Sequence, residues 1–163
     1  PAADLADGSV VEWSPAREAM MAALAGRLRA QGGYALVIDY GEREPTPGSS
    51  LQAVSRHRKV DPLTRPGEVD LTSRVAFAPL LQIAREAGLR AFGPIPQGLF
   101  LDRLGAAARL ARLGRNASPA VAERLAAGHR RLTDPSMMGA LFKVLAVGSW
   151  RGIPPGFLAE EAA

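Results

Sequence analysis

Chemistry needs polar groups held at the edge of something rigid, and the stretch "GGYALVIDYGE", residues 32–42, supplies an instance. Apolar residues Ala35 to Ile38 run directly into Asp39, Tyr40 and Gly41. Ligands of open α/β sheets collect beyond the carboxyl ends of the strands, so a strand closing at Tyr40 delivers Asp39 to such a rim. A carboxylate there accepts hydrogen bonds from a cationic or amino group, or it caps the following loop by pairing with backbone N–H groups. The residues alone leave both roles open. In "SRHRK", Arg56, His57, Arg58 and Lys59 form the densest positive patch, with Thr64 and Arg65 close by. Such a patch holds an anion or faces water. No nucleophilic pair is recognisable around His57, and a lone histidine suits a hydrogen-bonded structural role. Asp70 and Thr72 in "GEVDLTS" have the character of N-terminal helix caps. Arg109, Arg112 and Arg115 fall on one helical face, but no aromatic residues interleave with them as in a single-strand nucleic-acid platform.

Composition removes several classes of function. The 163 residues contain no cysteine, which excludes disulfides, thiolate metal sites and thiol catalysis together, and two histidines are too few for a histidine metal cluster. Of the 20 basic residues only Lys59 and Lys143 are lysine, a skew that with abundant Ala, Gly and Pro points to a GC-rich genome. A net charge of +4 spread along the chain is a weak signature for nucleic acid, and none is expected as a partner. No apolar run approaches the roughly 18 to 20 residues that cross a bilayer. No glycine-rich phosphate or dinucleotide loop follows a strand, since Gly32 and Gly33 precede one, and no catalytic triad or metal-ligand spacing appears. The opening "PAADLADGS" begins at Pro1 and has no signal-peptide pattern, so a start inside a longer protein is expected.

The elements that would position these groups follow from pattern. "SVVE" at 9–12 suits a short strand, and Ser14 with Pro15 opens a helix from about 15 to 30, stopped by Gly32 and Gly33. Its apolar stripe is expected on Ala16, Met20, Leu24 and Leu28, with Met21 and Ala25 alongside. Residues 34–40 lack alternation, as a central strand covered on both faces does. Helix, tight turn and continuous strand make a unit of a mainly parallel α/β sheet. Residues 42–50 form an exposed loop, and 51–77 a long connection without strong period. A helix at 77–87, a bent or edge strand at 89–95, a helix from Gln97 to about Leu113 and another from Ser118 to Arg131 complete the middle. Residues 139–149 suit a strand, with helix as the alternative, and an irregular, frayed tail is expected over about 150–163.

Five blocks together resemble one family: "VVEWSP", "GGYALVIDYGE", "LQAVSRHRKVDPLTRPGEVDLTSRVAF", "GPIPQGLFLDRLG" and "MMGALFKVLAV". In this order, and over nearly the whole chain, they are similar to the carboxyl-terminal half of the MidA-like proteins, which include the mitochondrial complex I assembly factor that methylates arginine. The resemblance implies part of a class I, Rossmann-like S-adenosylmethionine-dependent methyltransferase, an α/β fold with a seven-stranded sheet whose last strand is antiparallel. Residues 1–163 are then the carboxyl-terminal portion of a single methyltransferase-like domain. Residues 34–40, 89–95 and 141–147 resemble the fifth, sixth and seventh strands, and the helices over about 97–131 resemble an insertion before the last strand. The family's glycine-rich cofactor motif and ribose-holding acid belong upstream, so no cofactor-binding residue is expected in this chain. Matching positions are Glu12, Asp39, Tyr40, Gly41, His57, Gly67, Asp70, Thr72, Gln97, Phe100, Gly139 and Phe142. Ala76 stands where the family usually has aspartate, and Arg74 where it often has histidine or an acid.

The implied reaction moves a methyl group from sulfonium sulfur to a substrate nitrogen by in-line displacement, which depends on alignment and on carboxylates that orient a guanidinium. Asp39, then Glu12 and Asp70, are the acceptor-side candidates, with Tyr40, His57, Thr72 and Gln97 as substrate-binding residues and no catalytic base named. The implied partner is a protein substrate such as a respiratory complex I subunit or a bacterial counterpart. A homodimer is compatible with this, and so are the mitochondrial matrix for a eukaryotic source and the cytoplasm for a bacterial one. The chain alone is expected to be inactive. A different class remains in view: a non-catalytic assembly or protein-interaction module on a methyltransferase-like fold, gripping its partner with the long loop and the 97–131 helices.

Overall fold

The structure is a computed structural model that describes residues 6–149 and 151–163; residues 1–5 and Trp150 lie outside the described residues. Its first helix, α1 (Pro15–Gln31), starts with Pro at the first position, where its missing N–H costs nothing. The face it buries is Met21, Ala25 and Leu28, while Met20 is 68% exposed. The expected stripe is thus rotated by one residue, because the four-residue spacing Met21 to Ala25 and the next turn to Leu28 meet the sheet. No strand forms at 9–12. That segment is instead tied down by side chains, as described below.

β1 (Tyr34–Glu42) runs two residues past Tyr40, so Asp39 sits within the strand and not at its end. It pairs antiparallel with β7 (Phe142–Gly148), from Tyr34 opposite Gly148 to Tyr40 opposite Phe142. On its other edge a short strand, β5 (Val75–Ala76), runs parallel, with Gly41 opposite Val75 and Glu42 opposite Ala76. The remaining strand, β6 (Arg90–Pro96), pairs antiparallel with β7 and slips register between Phe92 and Ile95. The order is β5-β1-β7-β6. The sheet is therefore mixed, with the last strand antiparallel as expected, and not mainly parallel among the described residues. β7 follows a single helical turn, α6 (Met138–Leu141), so residues 139–149 hold both expected alternatives in succession.

Alternation along β7 divides the core in two. Leu145 and Val147 face α1 and α2 (Phe77–Glu86), where Met21, Ala25, Leu80, Leu81 and Ala84 bury them. Val144 and Ala146 face the other way, onto Phe92, Ile95, Phe100 and Phe157. That second layer stops short of β1. Leu36 and Ile38 are about half exposed, so β1 is covered on one face only. The apolar run of β1 promised two covered faces; the layer that would cover the second is not among the described residues.

Three differences concern the connections. Residues 51–77 are not mostly loop: β2 (Gln52–Ser55), β3 (Arg58–Val60) and β4 (Asp70–Thr72) form a small separate sheet in the order β3-β2-β4, an arm leaving the carboxyl end of β1. Its β2–β3 turn holds Arg56 and His57 at positive φ, 47° and 63°. The long helix expected from Gln97 is broken into α3 (Gln97–Arg103) and α4 (Ala106–Gly114), because Gly105 turns left-handed (φ 84°) between them. α5 (Pro119–Thr133) returns along α4, and neither of these two helices has a fully buried residue.

The tail is irregular but not frayed. Phe157 packs against Phe92 and Phe100 with ring centroids 6.1 and 5.4 Å away. Glu161 takes a 2.8 Å ion pair from Arg103, the Ala163 N–H donates to the Ala91 carbonyl at 2.9 Å, and Ala162 bridges Phe92. No helix among the described residues is long and apolar enough to cross a membrane.

Candidate functional site

Where β1 and β5 end together, the segment before α1 and the loop after β1 close over them to leave a cleft of about 630 Å³. Its floor is the parallel pair itself. A Cβ on Gly41 would sit 2.0 Å from the Val75 carbonyl oxygen, so only glycine lets β5 come this close. Glu42, the next residue, reaches the cleft beside Ala76, its register partner.

Glu12 and Arg17 build the walls. The Glu12 carboxylate accepts from the backbone N–H groups of Ser50 (2.7 Å) and Leu51 (3.1 Å) and from the hydroxyls of Ser49 (3.3 Å) and Ser50. The Ser50 hydroxyl above all, with these N–H groups, holds the Glu12 carboxyl below its ordinary value against the opposing effect of burial. Ser50 Oγ in turn accepts from the Arg74 N–H at 2.8 Å. From the other side the Arg17 guanidinium donates to the carbonyls of Arg74 (2.8 Å) and Ser73 (3.2 Å) and to Ser73 Oγ (2.6 Å). Two charged side chains thereby tie down two loops through their backbone groups.

Four carboxylates, Glu12, Glu18, Glu42 and Glu44, line the cleft against two guanidiniums, Arg17 and Arg74. The site is acidic in a chain whose net charge is +4. Glu12 has spent its lone pairs on the loop. Glu18 accepts the Trp13 indole N–H at 2.7 Å, Glu42 lies 3.4 Å from Lys143, and Glu44 lies 3.8 Å from Arg43 in an exposed pair. These three keep acceptor capacity, and Trp13, 73% exposed, keeps an aromatic face. Together they suit a cationic, planar ligand group, which carboxylates grip by paired hydrogen bonds and an indole by its π-face.

Of the sequence candidates only Glu12 lines this cleft. Asp39 lies opposite Lys143 in the ladder, and its Oδ1 accepts from the Tyr40 N–H at 2.8 Å, a contact within β1. Tyr40 meets Phe142 edge to face at 5.9 Å. Asp70 and Thr72 are on β4, opposite Val54 and Gln52, and cap no helix; α2 begins after Ala76. His57 is at the exposed β2–β3 turn. Gln97 is buried and its Nε2 donates to the Leu132 carbonyl at 2.9 Å, joining α3 to α5. Glu42, Glu44, Trp13 and Glu18 also line the cleft and are not among those candidates. Extending the strand past Gly41 would have found the first, and Trp13 within a turn and a half of Glu18 the last two. Among the described residues no three His, Asp or Glu side chains are grouped to hold a metal ion.

Comparison with known proteins gives this geometry its setting. A family model described as "Putative S-adenosyl-L-methionine-dependent methyltransferase" matches residues 2–95. The "Protein arginine methyltransferase NDUFAF7 homolog, mitochondrial" of Drosophila melanogaster is 40% identical over 141 residues, 85% of this chain and 32% of its own length. The Danio rerio protein arginine methyltransferase NDUFAF7 is 32% identical over 124 residues, 76% of this chain and 29% of its own length. The chain thus spans about a third of the curated relatives it matches. A crystal structure of a Burkholderia thailandensis protein called a "likely methyl transferase", bound to S-adenosyl-homocysteine, superposes with TM-score 0.74 at 26% identity, over 91% of this chain and 39% of that one. A second structure from that organism, of an uncharacterized protein, gives TM-score 0.76 at 26% identity, over 91% and 41%. The chain belongs to the MidA-like family of S-adenosylmethionine-dependent methyltransferases.

Proposed function

We propose that the chain is the acceptor side of a protein arginine N-methyltransferase, the carboxyl-terminal portion of a longer methyltransferase domain. The observation that carries this is the acidic cleft at the paired ends of β1 and β5, with Trp13 on its wall. Its residues receive the substrate guanidinium: Glu18, Glu42 and Glu44 accept its N–H groups and offset its charge, and Trp13 offers a face to stack on. Glu42 stands beside Ala76, where the family resemblance puts aspartate, so a carboxylate enters the cleft from the neighbouring strand instead. Glu12 and Arg17 are positioning residues that keep the walls in place. Asp39, Asp70, Tyr40, His57, Thr72 and Gln97 act outside the cleft, by holding strand, arm and helices.

The residues of this chain do not by themselves fit S-adenosylmethionine. Both strand-to-helix passages, β5 into α2 and β6 into α3, run straight on without a glycine-rich turn for a cofactor to approach. The cofactor belongs with the rest of the sheet, for which β1 leaves its edge open between Leu36 and Tyr40. The substrate is a protein, by the resemblance a respiratory complex I subunit or its bacterial counterpart, in the matrix or the cytoplasm according to source.

Calorimetry with S-adenosylmethionine should give no binding to this chain and clear binding to the full-length protein. With labelled cofactor, Glu42→Gln in the full-length protein should lower methyl transfer to protein about tenfold to a hundredfold and leave cofactor affinity unchanged. Full activity in that variant would overturn the cleft assignment. A second reading, a non-catalytic assembly module, is favoured by Ala76 and by α4 and α5, whose lack of a buried residue leaves them free to meet a partner. No labelled protein at any concentration of full-length protein would favour it.

A further inference from the structure

A second concave surface lies at the far end of the arm. Arg56, Arg58 and Arg65, with Ser55 and Thr64, line about 700 Å³ in which no carboxylate takes part. Among the described residues Arg56 and Arg58 have no ion-pair partner, and Arg65 has only an exposed 3.8 Å approach to Glu68. The hairpin turn that presents them has a left-handed conformation at both central residues, the geometry for which Asn-Gly is the usual choice, yet it carries Arg56 and His57. A strained turn whose side chains meet no protein group is a reason to look for a ligand.

We propose that this tip is a docking site for carboxylates of an acidic protein segment, placed to select substrates whose acidic residues flank the basic side chain entering the cleft. The inference rests on the methyltransferase reading for its purpose, though not for the site itself. β2 is four residues long, so about 13 Å of strand separates the tip from the cleft at its root, the span of about four residues of extended peptide. Opposite charge at the two ends decides the class of occupant. A nucleic acid following the arm would carry its phosphates onto Glu12, Glu18, Glu42 and Glu44, and no Phe, Tyr or Trp lines the tip to stack its bases. A peptide can be acidic at one end and basic at the other. Guanidiniums suit the acidic end because each presents a planar fork to a carboxylate.

Fluorescence anisotropy on the 163-residue chain tests this with labelled hexaglutamate, and with hexaserine and a six-nucleotide thymidine strand as comparisons. Hexaglutamate should bind at about 20 mM salt and weaken as salt rises, and hexaserine should not bind. The triple variant Arg56→Asn, Arg58→Thr, Arg65→Ser should lose roughly tenfold or more in affinity. Arg56→Asn with His57→Gly suits the turn and keeps the fold, and should lose part of it. Glu123→Gln on α5, exposed and outside both surfaces, should lose none. Equal binding by the triple variant, or tighter binding of the thymidine strand at the same residues, would overturn the proposal. A peptide with arginine four residues from a glutamate pair should bind more tightly than one with serines there. If hexaglutamate binds at the tip while no arginine peptide does, the cleft reading fails and the tip stands.

Discussion

Glu12, an acceptor-side candidate that lines the cleft, also secures a loop, which gives it a measurable pH signature. Its folded pKa lies below the ordinary 4.5, so the stability it contributes is complete above that value and is lost as pH falls through the lowered one. Thermal unfolding of the wild type and of Glu12→Gln should differ by on the order of 1 kcal/mol near neutrality, given its partial exposure. The difference should be constant down to about pH 4.5 and shrink below it. A gap that grew in acid would refute the assignment. Asp134 illustrates the same effect without the consequence: the Ser136 hydroxyl and N–H lower its pKa, but its side chain bonds only Ser136 within its own turn.

At the scale of elements, the arm stores strain where it presents charge. Left-handed backbone costs a side-chain-bearing residue about 1–2 kcal/mol. Arg56→Asn with His57→Gly should therefore raise unfolding free energy by on the order of 1 kcal/mol in denaturant titration, while removing one cation from the tip. The arm was also the element least legible in the sequence. α1 and α2 announce themselves through spacing, because a buried stripe must recur with the helix period, and β6 through an apolar run bent at Gly93 and Pro94. Strands of three or four residues with exposed sides, such as Arg58–Val60, have no period to detect. The site suffered for a related reason. Asp39 looks terminal in the sequence because Gly41 looks like a stop, when glycine is needed there for the approach of β5; Glu42 then falls in the expected loop although it closes the strand, while Glu44 lies in the loop as expected. The Glu12 and Arg17 contacts span 38 and 57 residues and leave no local trace.

The whole molecule has one finished side and one unfinished side. Half-exposed Leu36 and Ile38 beside an open strand edge make the isolated chain prone to self-association. Light scattering should find concentration-dependent oligomers of the 163-residue chain, and Ile38→Lys should shift them toward monomer without lowering helix content by circular dichroism. A monomer at high concentration would show that the open face is harmless. The opposite margin behaves otherwise, since the tail lies along β6, bridges Phe92 and bonds Ala91. A further copy adding at that end would have to displace the tail from Ala91 and Phe92. Two molecules meeting back to back through their bare margins would make a closed pair, with each tail standing as a terminator at the outer edge.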